Sequence, residues 1–137
     1  MAAPLLGTTM FAVPVTALYG ALNALLTIGL GANVSRVRTR YKTFRGDGGH
    51  VELQAAIRAH GNNVEHVPLA LILLLLAELG GGSSVALHIF GGALLSARLL
   101  HAFGLIKTSP VQVVGALLTL AVQVGLAAYV LWLRPWS

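Results

Sequence analysis

Cysteine is absent from the 137 residues, which excludes disulfides, thiolate metal sites and a cysteine nucleophile. Charge is nearly as scarce. Asp, Glu, Lys and Arg together make up 9% of the chain against 56% hydrophobic residues, and the mean hydropathy is +0.81. That balance excludes a soluble domain and points to an integral membrane protein. A basic segment ahead of the first apolar run is missing too, since Met1 to Thr9 holds no Lys or Arg; a cleaved signal peptide is therefore not expected.

What the chain does contain is four stretches of roughly 20 mostly apolar residues, each long enough to cross a bilayer as a helix. The expected helices cover about 9–33, 51–79, 84–105 and 110–133, giving an all-α, four-helix membrane domain that occupies 1–137. Turn chemistry sets the boundaries. Gly46-Asp47-Gly48-Gly49 and Gly80-Gly81-Gly82-Ser83-Ser84 are loop signals, and Lys107-Thr108-Ser109-Pro110 places a proline at the start of the last helix. Connections this short make neighbouring helices antiparallel. The second helix, at 1.5 Å per residue, is about 43 Å long against a hydrocarbon thickness of about 30 Å, so its first turns should project into the headgroup zone.

The net charge of +5 does not point to nucleic acid, because the cations are concentrated beside the membrane. Arg36, Arg38, Arg40, Lys42 and Arg45 fall in the stretch 34–50, opposed by Asp47, and Lys107 falls on the same side. The positive-inside rule makes that side cytoplasmic and puts both termini outside. Expected surroundings are lipids and lipophilic small molecules in a cytoplasmic (inner) membrane.

Small residues, Gly20 with Ala24, Gly91 and Gly92 with Ser96, and Gly115 and Gly125, read as helix-packing positions. Trp132 and Trp136 read as interfacial anchors. Glu78 is expected to reach the outer interface and His88 to be structural. Tyr19 lies inside the first span without revealing which side it faces.

The segment Arg58-Ala59-His60-Gly61-Asn62-Asn63-Val64-Glu65-His66-Val67-Pro68 is different, because ionised groups at a bilayer centre cost roughly 2.5–3.5 kcal/mol each even on lenient scales. Arg58, Asn62 and Glu65, at i, i+4 and i+7, share a helical face. Gln54 and Leu69 continue the stripe. Cation, amide and carboxylate in succession suit a small zwitterion; alternatively, Arg58 pairs with Glu65 or Glu52 and locks the bundle. Pro68 removes the partner of the Val64 carbonyl and is expected to kink the helix. On the third helix Arg98 and His101 approach the same level, forming a cationic pocket with an aliphatic flank that would bring a soluble anion and a lipophilic compound together. His101 also fits a satisfied buried hydrogen bond. His60 and His66 point to different faces, so no metal site is expected.

The residues Arg38, Arg58-Ala59-His60, Asn62, Glu65 and Pro68, with Arg98 and His101, resemble the MAPEG family, the membrane-associated proteins of eicosanoid and glutathione metabolism, and most closely its small bacterial inner-membrane branch. The resemblance covers almost the whole chain. It implies a left-handed four-helix bundle assembled as a homotrimer, with glutathione as co-substrate bound between subunits. The binding residues it implies are Arg38, Arg58, His60, Asn62, Glu65, His66, Arg98 and His101. It further implies thiolate attack on a lipophilic electrophile or reduction of a hydroperoxide. Arginines around the sulfur would favour the thiolate. Three positions depart from catalytic members: Gly61 and Gln112 where arginines are found, and Leu105 where an aromatic is found. Lys107 or the Ser109 hydroxyl would have to place charge or a donor near the sulfur in place of the thiol-activating group, and no catalytic residue is assigned. Loss of that group would weaken catalysis more than binding. A glutathione-dependent transferase or peroxidase is thus the leading expectation. A non-catalytic scaffold that keeps a small-anion or lipid-headgroup pocket is the alternative, and a small exporter is a third possibility.

Overall fold

Pro14, with its backbone angle preset for a helix and no N–H to leave unbonded, opens the first helix. The computed structural model describes residues 12–135, which form α1 (Pro14–Tyr41), α2 (Val51–Leu79), α3 (Ser84–Ile106) and α4 (Val111–Leu133). All four are long and apolar enough to cross a membrane. The expected start of the first helix at residue 9 lies outside the described residues, as does Trp136. Its end differs from expectation: α1 runs on through Arg36, Arg38 and Arg40 to Tyr41. Polarity marks the edge of the membrane there, but no helix-breaking residue occurs before Gly46, and cations in a last turn complement the helix dipole.

Three helix ends share one device. After α1, Lys42 is left-handed (φ 51°), the Thr43 N–H bonds Arg38 O at 3.0 Å and the Lys42 N–H bonds Thr39 O at 3.2 Å. Gly81 plays the same part after α2 (φ 80°) and Thr108 after α3 (φ 53°). This is the Schellman arrangement, which satisfies carbonyls that a helix end leaves open. Gly81 adopts its angle without the steric penalty borne by the other two. The helix α2 is continuous through Pro68, and Gln123 on α4 donates Nε2 to the nearby carbonyl of His66 at 3.0 Å.

α2 and α3 each pack against both neighbours and against each other, while among the described residues α1 does not touch α4. Glycine allows the closest approaches. A Cβ on Gly115 would strike the His101 backbone and Ala97 O, and one on Gly91 would strike the ring of Tyr19, whereas Gly20 has nothing within 4 Å. Gly91 and Gly115 are therefore packing positions, and Gly20 faces away from the bundle. Tyr19 is turned inward onto α3, its hydroxyl 3.2 Å from both Nδ1 and the carbonyl oxygen of His88.

The core is layered. Val15, Ala70, Leu74, Ala77, Leu87, Leu94, Val122 and Leu126 fill the half nearest the α2–α3 turn. Smaller clusters, Leu30 with Ala59 and Ala102, and Val37 with Leu53 and Ala56, fill the half nearest the α1–α2 loop. Buried Asn23, Asn63, Arg98 and Thr119 lie between these halves.

Glu78 does more than reach an interface. Its two carboxylate oxygens accept the backbone N–H groups of Val15 (2.8 Å) and Thr16 (2.7 Å), and so cap α1, which has no side-chain cap of its own. An anion at a helix N-terminus is favoured by open donors and dipole together. Hydrogen bonds to charged groups contribute about 1.5–3 kcal/mol, so Glu78→Ala should lower stability by roughly 2–3 kcal/mol. Thermal unfolding in detergent followed by helical circular dichroism checks this, and an unchanged midpoint would show that the cap is dispensable.

Candidate functional site

The polar layer is organised around one side chain. Arg98 is wholly buried (0% exposed) and donates through Nε to Asn63 Oδ1 at 3.0 Å, through Nη1 to Thr119 Oγ1 at 3.2 Å and through Nη2 to Asn62 Oδ1 at 2.8 Å. The chain of bonds continues. Asn63 Nδ2 donates to Thr27 Oγ1, Thr27 Oγ1 to the carbonyl of Asn23, and Asn23 Nδ2 to the carbonyl of Tyr19, each at 2.8 Å. Thr119 Oγ1 donates to Gly115 O at 2.8 Å. All four helices are thus joined through one guanidinium, whose hydrogen-bonding partners are neutral. Neutral acceptors satisfy donors but do not cancel charge, which makes this layer costly to disturb.

Two other candidates point the opposite way. Arg58 and Glu65 have side chains 58% and 57% exposed, with Nη1 and Oε1 3.9 Å apart. That separation is an ion pair too long for a hydrogen bond, so most of both groups remains open. Of the two partners weighed for Arg58, Glu65 is the one it meets. Glu52 is occupied by Arg40 (3.2 Å) and by the Tyr41 hydroxyl (2.8 Å). Beside Arg58 an open hollow of about 210 Å³ is lined by Val51, Gln54, Ala55, Leu105, Thr108 and Gln112. His101 adjoins it through Gln112, whose carbonyl lies 2.7 Å from Nδ1. A carbonyl only accepts, so Nδ1 carries the proton and Nε2 is left for another partner.

The structure brings Asn62 to Arg98, Arg58 to Glu65, and His101 to Gln112; the remaining candidates stand apart. Arg38, on α1 rather than in a loop, donates Nη1 to the carbonyls of Gly46 (2.8 Å) and Thr43 (3.3 Å). His60 packs towards α1, where its Nε2 would lie 3.3 Å from a Cβ on Gly31. His66 takes part through its carbonyl, as the acceptor of Gln123. Lys107 is exposed at the α3–α4 turn, and the Ser109 hydroxyl accepts the Val111 N–H at 3.4 Å. Sequence reasoning passed over Asn63, Thr27, Asn23 and Thr119. Their signal was available, because amides and hydroxyls that recur within apolar spans need partners in the bundle.

Fold and site together define a class: a four-helix membrane protein with a buried arginine–amide layer beside an outward-facing Arg/Glu pair. The chain belongs to the MAPEG family, whose model matches residues 16–132. It is also similar to the inner membrane protein YecN of Escherichia coli strain K12, being 47% identical over 90 residues, 66% of this chain and 69% of that protein. The same protein from E. coli O6:H1 strain CFT073 is similar to the same extent, 47% over 90 residues. The family includes glutathione transferases and peroxidases.

Proposed function

We propose that this chain is a glutathione-dependent transferase or peroxidase of the inner membrane, acting on lipophilic electrophiles or hydroperoxides at the cytoplasmic face. The observation that carries the proposal is the depth and direction of Glu65. In α2 (Val51–Leu79) it is 14 residues from either end, about 21 Å along the axis, yet its side chain is 57% exposed on the single subunit. A carboxylate so placed cannot rest against acyl chains and needs protein, water or a polar ligand. Arg58, two turns nearer the basic end, supplies the opposite charge. A zwitterionic peptide between subunits of a homotrimer would meet both groups, its carboxylate on Arg58 and its ammonium on Glu65. Asn62 would contact its backbone, and Arg98, being buried, would act by holding the Asn62 amide. His101 offers Nε2. In the transferase reaction the thiolate sulfur bonds to the electrophilic carbon as the leaving group departs with its electron pair. In the peroxidase reaction two thiols and one hydroperoxide yield a disulfide, an alcohol and water.

Reduced glutathione should raise the unfolding temperature of the detergent-solubilised protein. A ligand at a hundredfold excess over Kd contributes about 2.7 kcal/mol. Arg58→Ala and Glu65→Ala should each remove most of that shift while leaving the ligand-free midpoint little changed, since both groups are exposed. No shift at millimolar glutathione sinks the proposal.

One observation favours a binding protein without turnover: among the described residues Arg58 is the sole cation lining the hollow, and Gln112 lines it as a neutral amide. Thiolate formation needs positive charge near sulfur. Ultraviolet absorption of the bound thiolate separates the two possibilities, because a glutathione shift without thiolate absorption identifies the non-catalytic form.

A further inference from the structure

The α1–α2 connection, residues 42–50, is a built surface rather than slack chain. Arg38 clamps the carbonyls of Thr43 and Gly46, Asp47 accepts the Gly49 N–H at 3.0 Å, and Tyr41 stacks on His50 with ring centroids 4.1 Å apart. This framework presents Phe44, which at 82% has the greatest exposure among the described large hydrophobic residues. Lys42 and Arg45 flank it, exposed and without a side-chain partner among the described residues. The nearby carboxylates are already engaged, Asp47 within the loop and Glu52 with Arg40 and Tyr41.

Helix lengths place this surface. α1 and α4 have 28 and 23 residues, about 42 Å and 34 Å at 1.5 Å each. They begin and end at a common level at the other face, where Glu78 caps α1 and Leu133 lies against Gly80. The excess of about 8 Å therefore emerges at the loop. Headgroups extend a bilayer from about 30 Å to about 40–45 Å, so the loop stands in the headgroup layer of its own membrane. Cations on either side of an aromatic at that depth complement phosphates above acyl chains.

We propose that residues 42–46 form a docking surface for anionic phospholipid, with Lys42 and Arg45 meeting headgroup phosphates and Phe44 inserted among the upper acyl chains. Arg38 is the positioning residue for this surface, because it fixes the carbonyls on both sides of Phe44. The pre-set loop leaves little conformational freedom to lose on docking.

The chain has no cysteine of its own, so Phe44→Cys can carry a single nitroxide label on the full-length protein. It is reconstituted in nanodiscs of phosphatidylcholine alone or mixed equally with phosphatidylglycerol. Collision of the label with a water-soluble nickel chelate should fall several-fold in the mixed discs, and Lys42→Gln with Arg45→Gln should restore the phosphatidylcholine value. A second measurement keeps Phe44 in place: the unlabelled protein should unfold at a higher temperature in mixed discs, and the double variant should not. Equal nickel access in both discs, as expected if the loop serves an acidic soluble protein instead, overturns the proposal. So does a lipid-dependent gain that survives the double variant.

Discussion

Gly115→Leu is expected to leave no folded bundle, and Gly115→Ala to unfold at a clearly lower temperature than the parent. A single methyl at this position meets backbone: it would lie 2.7 Å from Ala97 O and 2.7 Å from the Cα of His101. A flexible side chain can turn aside, but a helix backbone moves only if α3 and α4 separate along their length. Overpacking a well-filled core costs about 1–3 kcal/mol, occasionally more, and a backbone-on-backbone clash belongs at the upper end. The effect should reach the site. Separation of α3 from α4 stretches both the bond between His101 and Gln112 O and the bond between Arg98 and Thr119, so Gly115→Ala should also reduce the glutathione-dependent shift. Gly20→Ala is the matched control, since nothing lies within 4 Å of its added Cβ. Circular dichroism melting of the parent and the three variants in one detergent decides the matter; equal midpoints for Gly115→Ala and Gly20→Ala would refute the close α3–α4 contact.

Spans and turns were legible because hydropathy and turn residues are local properties. The positions of Gly80 to Gly82 and of Lys107 to Pro110 suffice to end one helix and start the next without knowledge of the rest of the chain. The end of α1 was less legible for a physical reason: hydropathy reports where lipid stops, and Arg36 to Tyr41 continue as helix beyond that level. Side-chain direction was partly legible. The i, i+4, i+7 stripe groups Arg58, Asn62 and Glu65, but at about 100° per residue Asn62 is rotated by roughly 60° from Glu65. That rotation is enough to turn Asn62 into the α2–α3 seam, where it accepts from Arg98, while Arg58 and Glu65 stay outside.

Roles set by distant partners were not legible. Glu78 meets backbone groups 62 and 63 positions away, and the three acceptors of Arg98 are 21, 35 and 36 positions away. Periodicity in one helix carries no information about which neighbour it faces. From its own helix Arg98 is therefore a cation facing a pocket, whereas in the structure it is the hub that positions Asn62.

The hub also orders the effects of two substitutions and their combination. Asn63→Leu removes the acceptor of Arg98 Nε and the donor to Thr27, yet leaves the guanidinium buried with its charge. An unsatisfied donor on a buried charged group costs more than the about 1–3 kcal/mol of a neutral one, and Asn63→Leu should lie above that range. Arg98→Met removes the charge itself and fills similar volume. Neutral groups are left without the arginine, but Asn63 keeps its bond to Thr27 and Thr119 keeps its bond to Gly115 O. An unmade neutral hydrogen bond costs about 1–3 kcal/mol, so Arg98→Met should be the milder change. Because the damage in Asn63→Leu is a stranded cation, adding Arg98→Met to it should recover stability, a coupling opposite to additivity. Unfolding midpoints of both single variants and the double variant in detergent measure this directly. If the double variant is less stable than Asn63→Leu alone, the buried charge is not the dominant cost and the layer is held by packing instead. Arg98→Met, alone or in the double variant, removes the donor that anchors the Asn62 amide, so both should also weaken the glutathione-dependent shift even where the bundle remains folded, whereas Asn63→Leu keeps that bond.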